Sequence, residues 1–222
     1  MDLPFELFPL SWHVIAALLT LAALAVAARG IDWRALLASG VRLNLACGLA
    51  VVMALLWSLR AGVLPGLNLH LFGAMAACLL LGPRLALFAL SLSLGGVAAN
   101  GAIEWAAWPI NFVVMVLVPV LCAHAIRRAV ERLLPAHFFV FVFVMAFAGS
   151  GLVVLAGGAF ATALLALSGA YPWWRLASDY LPYFLLLGFS EAWIGGAVTT
   201  MFVVYKPEWV AAFDDRRYLG GR

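Results

Sequence analysis

Residues 180–205 read YLPYFLLLGFSEAWIGGAVTTMFVVY, an apolar run with one charged side chain, Glu191. At a rise of ~1.5 Å per residue, a helix of this length crosses the ~30 Å hydrocarbon core of a bilayer. The rest of the chain is written the same way. Of its 222 residues 67% are hydrophobic and 10% charged, and the mean hydropathy is +1.10, whereas a soluble domain carries about 25% charged residues. No polar stretch is long enough for a soluble module. The sequence therefore reads as an all-α integral membrane protein, one polytopic domain over residues 1–205 followed by a short cytoplasmic tail, 206–222.

Apolar length between polar breaks predicts seven spans, at 11–29, 43–59, 69–82, 85–99, 109–126, 138–168 and 180–205. Of the 13 Lys and Arg, all but Arg60 and Arg175 fall on one side of such a bundle. The positive-inside rule then places the N-terminus outside and the C-terminus in the cytoplasm, in a bacterial inner membrane. Met1 to Pro9 carries no Lys or Arg but contains Asp2 and Glu6, which does not fit a cleavable signal, so the mature chain is expected to begin at or near Met1. Cys47, Cys78 and Cys122 lie inside apolar runs and read as inert thiols. The basic excess sits at span ends, which is orientation chemistry and not a nucleic-acid surface.

An ionisable group inside the membrane is a candidate site residue because burying it in lipid costs several kcal/mol. Glu191 is one such group, ~18 Å by helical rise from Asp179 and so near mid-depth. His70 is the other. It follows Leu64-Pro65-Gly66-Leu67-Asn68 and opens a segment too short to cross the core, so its loop is expected to dip inward from outside. A shared depth for His70 and Glu191 is the central structural expectation. His70 is the leading metal ligand, with Glu191 as ligand, as an acceptor orienting His70, or as a proton carrier. Asn111, after Trp108-Pro109-Ile110, lines the same cavity or bonds between helices, and Asn68 is a supporting residue two positions before His70. His13, just below the outer surface, either reaches the cavity or serves at the interface. Gly149-Ser150-Gly151 and Gly157-Gly158 predict kinking, tilt or close helix packing in the sixth span.

The stretch PGLNLHLFGA at 65–74, the following LLGP at 80–83, the Asn111 segment and FSEAWIG at 189–195 resemble CbiM-type membrane proteins. Those are the substrate-binding components of energy-coupling-factor cobalt and nickel importers. The resemblance implies that an outside-facing N-terminus plugs a helical bundle. It also implies metal held by the terminal amine, a second-residue histidine and a loop histidine, with His70 matching the loop histidine and Glu191 an acidic position of the last span. Here the chain begins Met1-Asp2, so the second-residue histidine is absent. The implied donors become Met1, Asp2 and His70, with His13 as a substitute nitrogen. Cobalt and nickel lead as substrates, with zinc and copper as alternatives.

No phosphate-binding glycine loop with its lysine is present, so transport energy would come from a separate ATPase with a coupling membrane subunit. Gly149-Ser150-Gly151 lacks a histidine in the last span to serve as base, and no enzyme is expected. Two rival readings stand beside metal uptake. One is a non-transport assembly or scaffold protein with a vestigial site; the other is a permease whose Trp105, Trp108 and Trp193 line a small-molecule pocket.

Overall fold

The computed structural model describes residues 2–59, 61–64 and 67–220. The expected features at Met1, Arg60 and Pro65-Gly66 lie outside them. Five helices are long and apolar enough to cross a membrane: α1 (Leu10–Arg29), α3 (Gly40–Ser58), α6 (Trp105–Leu133), α7 (Val140–Leu167) and α9 (Tyr183–Tyr205). Between them lie α2 (Trp33–Ala38), a hairpin of β1 (Ala61–Leu64) and β2 (Leu67–Leu69), α4 (Ala74–Leu81), α5 (Pro83–Ala99) and α8 (Trp173–Asp179). A final turn of helix, α10 (Asp215–Tyr218), closes the described chain.

Helix boundaries follow the capping chemistry. Asp32 accepts from the Ala35 N–H at 3.0 Å and Ser39 accepts from the Arg42 N–H at 3.3 Å, so the side chains satisfy donors that have no intrahelical partner. Gly82, at φ +79°, turns the chain between α4 and α5, and Pro83 opens α5 where its missing N–H is not needed. Within α6, Pro119 can give no N–H and crowds the carbonyl four residues back. The backbone accommodates it with a π-helical stretch, Val113–Leu117, just after Asn111.

The expected span 69–82 is helical only over Ala74–Leu81, because Leu67–Leu69 pair antiparallel with β1 and residues 70–73 form a turn. Strand alternation explains the difference: Leu67 and Leu69 are buried on one face of β2, which sends Asn68 to the other, and the strand ends before His70. Lying wholly inside the bundle, α4 has every residue but Ala76 buried.

The glycines of the sixth run act through close packing. A Cβ on Gly151 would stand 3.1 Å from the Gly188 carbonyl oxygen, so α7 and α9 meet backbone to backbone. A Cβ on Gly157 would stand 2.5 Å from the ring of Phe72, and this glycine thereby makes room for the turn after His70. The charge-rich end folds back on the bundle. Ala211 and Ala212 donate main-chain N–H groups to the carbonyls of Leu80 and Leu79 at 3.1 and 3.0 Å. Phe213 and Tyr218 then pack against Phe141, and Arg217 reaches Glu131 at 3.8 Å.

Candidate metal centre

The N-terminal segment enters the protein before α1 begins. Leu3 and Phe8 are 1% and 5% exposed, and three polar side chains hold the segment by its main chain or its acid. Asn111 accepts from the Leu3 N–H at 2.8 Å and donates to the Leu3 carbonyl at 2.9 Å. Asn68 donates to the Asp2 carboxylate at 2.9 Å. His13 bonds through Nε2 to the Phe5 carbonyl at 3.0 Å, and its ring stacks on Phe5 with centroids 4.0 Å apart. Each of these partners belongs to a different element. Asn111 stands in α6, Asn68 in β2 and His13 in the first turn of α1.

Asn68 lies two residues before His70 and ties the Asp2 carboxylate to β2, the strand from which the His70 segment leads on. His70 is 4% exposed. Its Nδ1 stands 2.9 Å from the Leu71 carbonyl oxygen. A carbonyl only accepts, so Nδ1 carries the proton, and of the two ring nitrogens Nε2 is the one whose chemistry suits a metal ligand. Metal-binding histidines are commonly held this way, with the second nitrogen donating to a main-chain carbonyl. The Trp57 ring packs beside the imidazole at 5.4 Å.

Glu191 reaches the same turn from α9. Its carboxylate accepts from the Phe72 N–H at 2.8 Å and from the Gly73 N–H at 2.5 Å. These are the donors at the N-terminal end of α4, where the helix dipole also favours a negative charge. Gly73 takes φ +66°, which lets the chain pass from the turn into α4. The expected meeting of His70 and Glu191 is therefore made through the main chain: Glu191 anchors the turn that carries His70. On its other side Glu191 borders a cavity of about 500 Å³ between α3 and α9, shared with Met53, Leu71, Gly73 and Gly195.

Asn111 grips the N-terminal segment, a role the two sequence-level alternatives did not include. His13 pins Phe5, leaving its Nδ1 buried without a hydrogen-bond partner among the described residues. Among the described residues no three His, Cys, Asp or Glu side chains come close enough together to hold a metal ion. Trp105 and Trp108 border one lateral cleft and Trp193 a different one, so the three do not line a common pocket. Trp57 and Tyr180 went unnoticed in the sequence. Both are fully buried, and the indole N–H and phenol hydroxyl have no hydrogen-bond partner among the described residues. The only signal for Trp57 was its position just ahead of the hairpin, and that position also suits an interfacial anchor.

Over residues 2–209 the chain matches CbiM, described as a cobalt uptake substrate-specific transmembrane region. It belongs to the CbiM family. Membership makes it a multi-pass membrane protein of a metal-ion uptake family, a transporter component. The fold is similar to the crystal structure of a transition metal transporter, with a TM-score of 0.76 at 18% identity, covering 91% of this chain and 92% of that one. It is equally similar to a truncated transition metal transporter, with a TM-score of 0.77 at 18% identity and coverage of 92% and 98%. At that identity the likeness to both is one of fold. No curated protein sequence matches the chain.

Proposed function

We propose that this protein is the membrane substrate-binding component for uptake of a divalent transition metal ion, cobalt or nickel, energised by a separate ATPase through a coupling membrane subunit. The ion enters from the outside of a bacterial inner membrane. The bundle has seven helices, α4 and α5 making up the two short crossings, with the N-terminus outside and the C-terminus in the cytoplasm. The distribution of Lys and Arg supports that orientation. His70 is the first ligand, through Nε2. The Met1 amine and the Asp2 carboxylate complete the site from the N-terminal segment, while Glu191, Asn111 and Asn68 position the parts that carry them.

One observation carries this reading. The Nδ1 proton of His70 is committed to the Leu71 carbonyl while Asn68, two residues earlier in the chain, holds Asp2. An imidazole and a carboxylate are thus each fixed inside the protein, one just ahead of a buried helix and the other tied to the strand that precedes it. The test is uptake of radioactive cobalt or nickel by cells expressing the chain with its partner subunits, beside His70→Ala expressed to the same level. Uptake lost in the variant supports the reading, and uptake unchanged in the variant contradicts it. A second reading, an assembly or scaffold protein with a vestigial site, draws on the lack of a three-residue ligand cluster among the described residues. It predicts that His70→Ala changes nothing.

A further inference from the structure

We propose that the cleft between α3 and α9 holds one acyl chain of an anionic phospholipid, with the headgroup at the end where Arg42 and Lys206 stand. Such a lipid site is independent of the ion the protein carries.

One apolar face of α3 is turned to the cleft. Leu45, Leu49, Val52 and Leu56 follow one another at spacings of three and four residues, and Ile194 and Val198 line the opposite wall from α9. The floor is α4, which packs against both helices and lines the cleft through Ala76 and Leu80. Val52 and Ile194 are 54% and 47% exposed, so the walls offer apolar surface that the chain itself leaves uncovered.

The dimensions suit a single hydrocarbon chain. The volume of about 500 Å³ falls in the range of roughly 300–1,000 Å³ that encloses small ligands. At one end lies Glu191, whose carboxylate accepts two main-chain N–H groups, and towards the other lie Phe202 and Trp209. From Glu191 to Phe202 the helix rises about 17 Å, close to the ~15 Å that one leaflet contributes to the hydrocarbon core. A helix of that length, about 10 Å across, displaces on the order of 1,300 Å³ and would enter by only part of its width.

Polar groups gather at the end away from Glu191. Asn44, near the start of α3, and Trp209 line the cleft there. Arg42 donates to the Leu81 carbonyl at 3.4 Å, which sets its guanidinium over the C-terminal end of α4. The Lys206 Nζ lies 5.9 Å from the centre of the Trp209 ring and 3.9 Å from the Glu208 carboxylate. Two cations against one acid favour an anionic headgroup, and a tryptophan beside them at the end of a span suits the membrane–water interface. In the orientation proposed above this end faces the cytoplasm, and the lipid belongs to the cytoplasmic leaflet.

The test is photolabelling of the full-length protein in phosphatidylcholine vesicles. They contain a minor fraction of phosphatidylglycerol, or of phosphatidylcholine, with a diazirine on one acyl chain, and labelled peptides are mapped by mass spectrometry. Labelling is expected to concentrate on residues 45–56 and 191–202 and to be stronger with phosphatidylglycerol. Arg42→Gln and Lys206→Gln are each expected to lower that preference about fivefold, the worth of one cation beside an anionic lipid. Gly48→Phe fills the cleft: a Cβ there meets open space, and any residue other than proline suits a helix interior better than glycine, so the fold is kept. Labelling of the cleft is expected to be lost in that variant.

Labelling spread evenly over the lipid-facing helices, equal labelling by the two lipids, or cleft labelling unchanged in a folded Gly48→Phe variant overturns the proposal. Cleft labelling that vanishes when a coupling membrane subunit assembles with the chain also overturns it, and assigns the cleft to a protein helix. If Gly48→Phe does not fold, the label map and headgroup preference of the unmodified protein decide.

Discussion

The short helix α4 is held by different chemistry at its two ends. At its N-terminal end a carboxylate from α9, Glu191, takes the N–H groups of Phe72 and Gly73. At its C-terminal end two main-chain N–H groups of the tail, from Ala211 and Ala212, take the carbonyls of Leu80 and Leu79. Both arrangements satisfy groups that a helix buried on all sides leaves without partners. They differ in what else they fix. The tail closes a packed end made of Phe213, Tyr218 and Phe141, whereas Glu191 fixes a turn whose previous residues carry His70 and whose strand holds Asp2. A neutral main-chain cap suffices for packing. A carboxylate cap that reaches across more than a hundred residues of sequence, in a place where burying charge is costly, stands at the end where the proposed metal site lies.

The largest expected effect comes from removing the charged cap. Glu191→Ala leaves two buried N–H groups without an acceptor, at about 1–3 kcal/mol each. It should lower the melting temperature in detergent and release residues 70–73 to hydrogen exchange. Intact protection of that turn would break the contrast between the two ends. Next comes Gly73→Ala, which forces a side chain into φ +66° and against Met53. The left-handed conformation alone costs about 1–2 kcal/mol. Thermal unfolding should report at least that loss, and an unchanged midpoint would show that the turn is free to take another path.

Asn111→Ala removes both bonds to Leu3 and should cost about 1–3 kcal/mol. Its sharper readout is local: residues 2–8 become accessible to protease while the helices keep their protection. The smallest effect belongs to the tail. Ala212→Pro deletes one donor to Leu79 and should cost about 1 kcal/mol with no change in metal affinity. A loss of metal binding in that variant would mean the two ends of α4 are not independent.

Long spans were legible in the sequence because lipid demands both apolar length and internal hydrogen bonding, and α1, α3, α7 and α9 appear close to where run lengths place them. The encounter of Glu191 with the His70 turn was legible as well, through helical rise measured from the charged ends. What escaped notice depends on short or tertiary features. Strands of four and three residues carry too little alternation to separate β1 and β2 from a helical segment, so 69–82 read as one span. The tail's charges, Asp214, Asp215, Arg216 and Arg217, mask the buried Val210, Ala212 and Phe213 that precede them. His13 looked like a spare ligand because sequence spacing gives no account of Phe5 turning back over it.

The most direct test of the account is a cobalt titration of the detergent-purified chain beside Glu191→Gln and Ala212→Pro. The account predicts that cobalt affinity falls by about 10–100-fold in Glu191→Gln, where the turn carrying His70 loses its charged anchor, and stays unchanged in Ala212→Pro. Equal affinity in all three proteins would contradict it.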